Sequence, residues 1–176
     1  MDLLFLGTGT SHGVPMIGCD CAVCASGDPK NRRTRTSGLF SWDGRNILVD
    51  TSVDFREQML RHRVKRLDGV LLTHGHADHL FGLDDIRRFN YLQKEDIGLW
   101  GNAETLGRVR SCFDYAFAPD RDTIPGGGIP RVNLHEAAGP VSLFGETILP
   151  VPVRHGPWGI LGWRIRNTAW VTDCNG

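Results

Sequence analysis

Short apolar runs separated by turn-forming residues recur along most of the chain, and each is about the length of one strand. The run Gly69-Val70-Leu71-Leu72 is apolar throughout, which indicates a strand buried on both faces. Asp43-Gly44, between two such runs, is a strong hairpin signal. The pattern predicts strands at residues 3–6, 39–42, 46–49, 69–72, 97–100, 141–144, 147–153, 160–165 and 169–171.

Other segments between these strands have the spacing of helices. Phe55, Met59, Leu60 and Val64 repeat at helical intervals, which predicts one face packed against a core. Because predicted strands alternate with predicted helices, we expect an α/β fold. Helices are predicted at residues 55–66, 80–92 and 103–113, and residues 115–132, rich in proline and glycine, are predicted to form a long loop near a site.

The composition of the chain says more about its possible partners and location than about its fold. A chain of 176 residues suits one domain, which we assign to residues 1–176. Lysine plus arginine equal aspartate plus glutamate at 20 each, so overall charge gives no support for nucleic acid or a membrane surface as a partner. No apolar run could span a bilayer, and Met1-Asp2 lacks the basic start of a signal peptide, so we expect a cytoplasmic protein.

The most informative stretch is Thr73-His74-Gly75-His76-Ala77-Asp78-His79, which directly follows a predicted strand and holds three of the seven histidines. His74 and His76 can converge on one ion from a tight loop, while Asp78 and His79 can face a second ion. Imidazole beside carboxylate suits zinc, manganese or iron. The alternative, a polar surface loop that happens to contain histidines, does not explain this density.

A second cluster, Cys19-Asp20-Cys21-Ala22-Val23-Cys24, brings three of the five cysteines into one short loop. Three local thiolates and one distant ligand would give zinc the tetrahedral site it takes in structural roles. The alternative is a set of free or partly oxidised surface thiols. Because the total is odd and the residues are crowded, a metal site is favoured over a disulfide framework.

The glycine-rich turn at residues 7–13 has the spacing G-x-G-x-x-x-G and is followed by Val14-Pro15, so it is not a dinucleotide-binding loop. His12 in this turn is a candidate substrate contact, with an ordinary polar loop residue as the alternative. Arg32, Arg33 and Arg35 are candidates to grip a phosphate, with a solvated loop as the alternative.

The spacing H-x-H-x-D-H after an apolar strand resembles the signature of the metallo-β-lactamase-fold hydrolases. The resemblance implies a four-layer αββα fold with two divalent ions, zinc or manganese. It implies that His155 joins His74 and His76 at the first ion, that Asp78 and His79 hold the second, and that Asp173 bridges them. Asp78 would also orient the attacking nucleophile, and Asp50 resembles the aspartate that positions this loop or a ligand histidine.

One branch of that superfamily joins G-T-G-x-x-x-G-V-P to C-x-C-x-x-C, as Gly7 to Pro15 and Cys19 to Cys24 do here. These segments resemble the phosphonate-pathway phosphodiesterases that open phosphoribosyl 1,2-cyclic phosphate, and also the pyrroloquinoline quinone biosynthesis B proteins. The resemblance implies hydrolysis of a small cyclic phosphodiester. The alternatives are hydrolysis of a carboxylic ester, thioester or lactam, a role in coenzyme biosynthesis, or non-catalytic metal binding.

Members of this branch continue beyond the point that corresponds to Gly176. They carry a last histidine ligand of the second ion and a late histidine that completes the cysteine site, and neither His62 nor His135 is a convincing substitute. We therefore expect the fold to lack its C-terminal portion and an exposed sheet edge to favour a homodimer.

Overall fold

Two β-sheets organise the computed structural model, which describes residues 1–123 and 128–175. The first sheet contains β1 (Asp2–Gly7), β2 (Ser37–Trp42), β3 (Arg45–Val49), β4 (Gly69–Leu71), β5 (Ile97–Gly101) and β6 (Val132–Glu136), in that order. The second contains β7 (Val141–Leu143), β8 (Glu146–His155), β9 (Trp158–Ile165) and β10 (Thr168–Trp170), in the order β10-β9-β8-β7.

Strand direction changes within the first sheet. β1, β2 and β3 are antiparallel, and β3 to β6 are parallel. Asp43 and Gly44, with φ of 48° and 75°, form the tight turn that the sequence predicts between β2 and β3. Because parallel strands end at the same edge of a sheet, the segments that follow β3 and β4 lie side by side.

Helices cover one face of the first sheet, and the second sheet covers the other. Phe55, Ile86 and Val109 from the helices pack with Leu48 and Leu99 of the strands in an outer core. The helices are α1 (Phe55–Arg61), α2 (Ala77–Leu80), α3 (Ile86–Gln93) and α4 (Ala103–Cys112). The described residues therefore form three of the four predicted layers, and the predicted α/β class is confirmed.

A second core lies between the two sheets. Phe40 and Val49 of the first sheet are clustered with Ile148, Trp163 and Ile165 of the second. Trp163 is fully buried, and its indole N–H donates a hydrogen bond to the backbone oxygen of Leu72, 3.2 Å away. This bond links the second sheet to the residue that follows β4.

Two of the predicted helices differ from the observed ones. α1 ends at Arg61 because Arg63 takes a φ of 52°, which is incompatible with a continuing helix. The helix predicted at residues 80–92 is divided into α2, a 3₁₀ turn at Leu83–Asp85 and α3. Gly82 lies at the break, where a Cβ atom would approach the backbone oxygen of Ser52 to 2.1 Å. Tight packing against the segment after β3 thus interrupts the helix.

β6 was not predicted, because its sequence lacks an apolar run. It lies at the edge of the first sheet, where Asn133, His135 and Glu136 reach solvent at least in part. The predicted loop over residues 115–132 instead begins with 3₁₀ turns at Asp114–Phe117 and Arg121–Thr123, and its residues 124–127 lie outside the described residues.

No helix among the described residues is long and apolar enough to cross a membrane. The assignment of residues 1–176 to one domain stays a prediction.

The inter-sheet core generates a first testable prediction. Replacing Trp163 with alanine removes the largest fully buried side chain and leaves the Leu72 oxygen without its donor. We expect a loss of about 3–5 kcal/mol in the free energy of unfolding, measured by urea denaturation with circular dichroism.

The control for this prediction is Leu92→Ala, because Leu92 is 51% exposed on α3. Its expected effect is within about 0.5 kcal/mol. Equal effects of the two substitutions would contradict the placement of Trp163 in the core between the sheets.

Candidate metal centre

The predicted metal loop lies between β4 and α2, where the carboxyl ends of the parallel strands meet. Thr73 is buried, and its backbone oxygen accepts a hydrogen bond from Leu161 of β9 at 3.0 Å. His76 has extended backbone angles and precedes the first residue of α2, so Asp78 and His79 lie in the first turn of that helix. Both sheets therefore hold this loop.

The first histidine group consists of His74, His76 and His155, whose ligand atoms all lie within 4.8 Å of one another. His74 Nε2 and His76 Nδ1 are 3.0 Å apart. His155 comes from the end of β8, and its ring centroid is 5.4 Å from that of His74 and 5.2 Å from that of His76. The structure thus brings together the three residues expected at the first ion.

A second group lies directly beside the first. His74, His79 and Asp173 also have ligand atoms within 4.8 Å of one another. Asp173 Oδ2 is 2.7 Å from His79 Nε2 and 3.7 Å from His74 Nε2, so this carboxylate lies between the groups, where a bridge is expected. Asp78 Oδ2 is 3.3 Å from His79 Nε2. One difference from the expectation is that His74 contacts both groups.

A buried carboxylate behind the loop fixes two of the histidine rings. Asp50 Oδ1 accepts a hydrogen bond from the Thr73 amide at 2.7 Å, and Asp50 Oδ2 accepts from the Thr73 hydroxyl at 2.8 Å and from His79 Nδ1 at 2.7 Å. Because the Thr73 hydroxyl donates to Asp50, it can only accept from His74 Nδ1, 3.0 Å away. Both histidines therefore direct Nε2 into the site, which matches the role expected of Asp50.

The charges around this site favour a bound cation. Burial lowers the pKa of His79, but the carboxylates of Asp50, Asp173 and Asp78 outweigh it and raise that pKa to about 12. Burial and the nearby charge of His79 lower the pKa of His74 to about 4, so this ring is neutral at neutral pH. Contact with His79 lowers the pKa of Asp173. The site thus offers a neutral imidazole at His74 and an ionised carboxylate at Asp173, and a divalent cation at His79 would take the place of the proton that the carboxylates hold there.

One buried atom tests directly whether the residues of this site suit a divalent cation. His79 Nε2 is buried and lies 2.7 Å from Asp173 Oδ2 and 3.3 Å from Asp78 Oδ2, but neither carboxylate has the angular geometry of a hydrogen bond to it. A buried polar atom without a partner is costly in a folded protein. A divalent cation held by His79, Asp78 and Asp173 would satisfy it, so the residues present fit such an ion.

The three cysteines of the second predicted cluster also converge. Cys19, Cys21 and Cys24 have sulfur atoms within 4.8 Å of one another, and the Met16 amide donates to Cys24 Sγ at 3.4 Å. Hydrogen bonds, above all from the Cys24 amide, lower the pKa of Cys21 to about 7 and favour its thiolate. At Cys24 the Met16 amide has the opposite effect to burial and the two neighbouring sulfur groups, which together raise the pKa of that thiol. Among the described residues no fourth ligand belongs to this group. The structural zinc stays a prediction.

His12 and the candidate arginines lie in a separate groove of about 200 Å³, which shares no lining residue with the cavity at the histidine loop. Within it, Arg35 is engaged by Asp54 at 2.9 Å and by the backbone oxygen of Ser11 at 3.1 Å. Substrate contact by His12 stays a prediction.

The cavity beside the first histidine group has a volume of about 310 Å³. His74 and His76 form part of its wall, together with Arg108 of α4 and Trp158 of β9. The sequence analysis missed Arg108 and Trp158, because their closeness to the loop depends on how α4 and the β8–β9 hairpin pack. No motif in the sequence could have identified them.

Comparison with known proteins places these features in a family. The family profile described as the β-lactamase superfamily domain matches residues 45–176. A crystal structure of a diphosphatase from the PhnP family is 42% identical with a TM-score of 0.83, and the match covers 95% of this chain and 63% of that one. Zinc-bound PqqB from Methylobacterium extorquens has a TM-score of 0.70 over 94% of this chain and 59% of that one, and at 22% identity it shows a shared fold.

Two curated proteins are similar over most of the chain. An octanoyltransferase from Porphyromonas gingivalis is 39% identical over 98% of this chain and 35% of its own length. Coenzyme PQQ synthesis protein B from Methylobacterium nodulans is 32% identical over 90% of this chain and 54% of its own length. The chain thus spans between about a third and somewhat over half of these relatives.

A test of the first histidine group follows from its geometry. Replacing His76 with alanine removes one of three converging imidazoles, and we expect most of the metal at this group to be lost while the fold is retained. Elemental analysis after metal loading and circular dichroism measure the two effects. The control is His62→Ala, because His62 lies at the end of α1 and belongs to neither group. Unchanged metal content in His76→Ala would contradict the assignment.

The cysteine cluster has its own test. Replacing Cys19, Cys21 and Cys24 together with serine is expected to remove one zinc ion per chain and to lower the melting temperature, because the metal stabilises the loop that holds it. The matched control is Cys112→Ser, a change on α4 outside the cluster. Retention of all bound zinc by the triple variant, or a Cys19–Cys24 disulfide in protein kept reduced, would rule out this site.

Proposed function

Because the chain belongs to the β-lactamase superfamily and has its metallo-β-lactamase fold, we propose that it is a metal-dependent phosphodiesterase that hydrolyses a small cyclic phosphodiester. The observation that supports this most strongly is the arrangement of two ligand groups around one carboxylate, Asp173, at the edge of a cavity. The similarity to a PhnP-family diphosphatase supports a phosphorus centre as the target.

His74, His76 and His155 would hold one ion, and Asp78, His79 and Asp173 a second, with Asp173 between them. Divalent ions in such a site supply an activated water and neutralise charge on the phosphoryl oxygens. In the reaction, a water oxygen bonds to phosphorus, the bond to one ester oxygen breaks, and the proton that the water loses balances the one that the released alkoxide takes up. The product of a cyclic diester is a phosphomonoester.

Asp78 is the residue of this chain that would orient the attacking water. Burial opposes ionisation, but contact with His79 overcomes it and lowers the pKa of Asp78, so the carboxylate is an acceptor at neutral pH. An ionised carboxylate accepts a hydrogen bond from an O–H of the water and so directs the lone pairs of the water oxygen away from itself. The distance of 3.3 Å between Asp78 Oδ2 and His79 Nε2 puts this acceptor beside the second ligand group.

The second candidate is hydrolysis of a carboxylic ester or thioester at the same centre. It is favoured by the 39% identity to a protein named octanoyltransferase, although this chain spans only 35% of that protein. A metal centre of this kind polarises a carbonyl as well as a phosphoryl group, so the ligand set does not decide between them. A comparison of turnover on the two kinds of substrate decides between the two candidates.

The proposed function is tested with purified, metal-loaded protein on bis(p-nitrophenyl) phosphate, phosphoribosyl 1,2-cyclic phosphate and p-nitrophenyl octanoate. We expect turnover of the two phosphodiesters, its loss after treatment with a chelator and dialysis, and its return when zinc or manganese is added. Faster turnover of the octanoate ester would favour the second candidate. Bound metal without hydrolysis of any of the three would contradict both.

Asp78→Asn gives a sharper test of the mechanism. The asparagine amide is neutral and is a weaker hydrogen-bond acceptor than an ionised carboxylate. We therefore expect kcat on the phosphodiester to fall by about 10²-fold or more. The matched control is Asp85→Asn, because Asp85 lies in the next turn of the chain and outside both ligand groups. Elemental analysis of Asp78→Asn separates a loss of orientation from a loss of metal. Full activity in Asp78→Asn would contradict the role given to this residue.

A further inference from the structure

One asparagine attaches the segment that carries Asp173 to the second sheet. After β10, residues 171–174 lie in no helix or strand. Asn175 then donates its backbone N–H to the oxygen of Arg154 in β8 at 2.9 Å, and its side-chain Oδ1 accepts a hydrogen bond from the Gly156 amide at 3.1 Å. The main chain and the side chain of one residue thus both bind the end of β8.

These two bonds lie on either side of a candidate metal ligand. Arg154 and Gly156 are the neighbours of His155 in the chain, and His155 belongs to the first histidine group. Asn175 itself follows Asp173 by two residues, and the Asp173 carboxylate lies between the two ligand groups. His155 and Asp173 are the ligand candidates of this site that lie outside the loop after β4, and Asn175 connects them.

The backbone groups that Asn175 contacts are free of the pairing between β8 and β9. These strands are joined by the two-residue turn Gly156-Pro157, in which Gly156 has a φ of 57°. The residues that flank such a turn pair with each other, so the backbone groups one residue further along each strand point away from the partner strand. β7 pairs with β8 only at residues 146–148 in the described part of the chain, and it does not reach Arg154. Asn175 therefore supplies partners to polar backbone groups that the sheet leaves open.

The conformation of Asp173 explains why a fixed point close to it matters. Its φ is 53°, in the left-handed region that residues other than glycine rarely adopt, and such a conformation persists where the surrounding structure holds it. The Asp173 side chain is 35% exposed, so burial alone does not hold it. Its carboxylate contacts His79 and His74 on the ligand side, and the bonds of Asn175 fix the backbone two residues later.

We propose that Asn175 is a positioning residue of the metal centre, which sets the place of the Asp173 carboxylate relative to the His155 imidazole. This inference rests on the two-ion site of the proposed function, and it does not depend on which bond is hydrolysed. Carboxylate oxygens bind zinc at about 2.0–2.2 Å, so a carboxylate that serves two ligand groups tolerates little displacement. Loss of a residue that orients a metal ligand typically lowers metal affinity or activity by about 10–100-fold.

The test measures metal affinity and so does not depend on catalysis. Manganese is titrated into metal-free protein, and the free ion is measured by electron paramagnetic resonance, because thiolates such as those of the cysteine cluster prefer softer ions. Asn175→Ala removes the acceptor of the Gly156 amide and keeps the backbone N–H, and we expect it to weaken manganese binding at least about tenfold. The matched control is Asn167→Ala, because Asn167 is an exposed asparagine in the turn between β9 and β10.

Rescue by a conservative variant provides the second arm. Asn175→Asp keeps an acceptor oxygen where the amide oxygen lies, so it should restore manganese affinity to near that of the unmodified protein. The exchange of the Gly156 amide proton with solvent, measured by nuclear magnetic resonance without metal, reports on the bond itself. We expect faster exchange in Asn175→Ala and slow exchange again in Asn175→Asp. Restored affinity without a protected Gly156 amide would be an effect of the added charge and would overturn the proposal.

Activity provides the third arm, because Asn175 is not among the residues that line the cavity. With manganese at saturation, Asn175→Ala should lower kcat on bis(p-nitrophenyl) phosphate about tenfold and leave KM little changed. A rise in KM with kcat unchanged would instead make Asn175 a residue that affects substrate binding, and would contradict its role at the metal centre.

The outcomes separate the role of Asn175 from the proposed function. Equal manganese affinity in Asn175→Ala and Asn167→Ala would overturn the proposal, even with a lower melting temperature or a faster Gly156 exchange, since Asn175 would then only fasten its segment. Weakened binding that Asn175→Asp restores, together with failure of the unmodified protein to cleave any phosphodiester, would support the positioning role and reject the phosphodiesterase activity.

Discussion

The structure of the site depends on one buried carboxylate, that of Asp50. It follows β3, is fully buried, and has a φ of 62°. Taking an ionised carboxylate out of water is costly unless hydrogen bonds replace its hydration, and removal of one partner of a buried charge costs about 3–5 kcal/mol. Asp50 receives three such bonds, two from Thr73 and one from His79. The loop after β4 therefore cannot shift without leaving a buried charge unpaired, and this constraint fixes the ligand atoms that the loop carries.

The two hydrophobic cores lie on opposite faces of the first sheet, and both hold neighbouring elements in place around the loop that follows β4. The outer core holds α4 and the other helices against the first sheet, and the inner core holds the second sheet against its other face. Two hydrogen bonds join the second sheet to the end of β4, from Trp163 to the oxygen of Leu72 and from the Leu161 amide to the oxygen of Thr73. Because β8 and β9 form one hairpin, the same attachment positions His155 at the end of β8. The position of the distant histidine, His155, is thus set by apolar packing, while the positions of the loop histidines are set by Asp50.

These two kinds of positioning explain what sequence alone could predict. His74, His76, Asp78 and His79 are close because they are close in the chain, so their spacing is informative without a structure. His155 and Asp173 were expected only through resemblance to a family, since nothing local links them to the loop. β6 was missed because an edge strand needs little apolar sequence, and the break at Gly82 was missed because it follows from contact with Ser52. In each failure a tertiary contact overrides the local pattern.

The separation between the residues that position the histidine groups and those that line the cavity also helps to explain how one fold can host different chemistries. The carboxylate, the loop and the two sheets fix the positions of the two histidine groups. The wall of the adjacent cavity also includes α4 and the turn between β8 and β9, whose exposed side chains can change without disturbing either core. Similar proteins with names as different as diphosphatase, PqqB and octanoyltransferase are therefore compatible with one fold that hosts several functions. The metal-binding framework alone therefore does not decide which substrate such a protein takes, and side chains that line the cavity, such as Arg108, are not part of that framework.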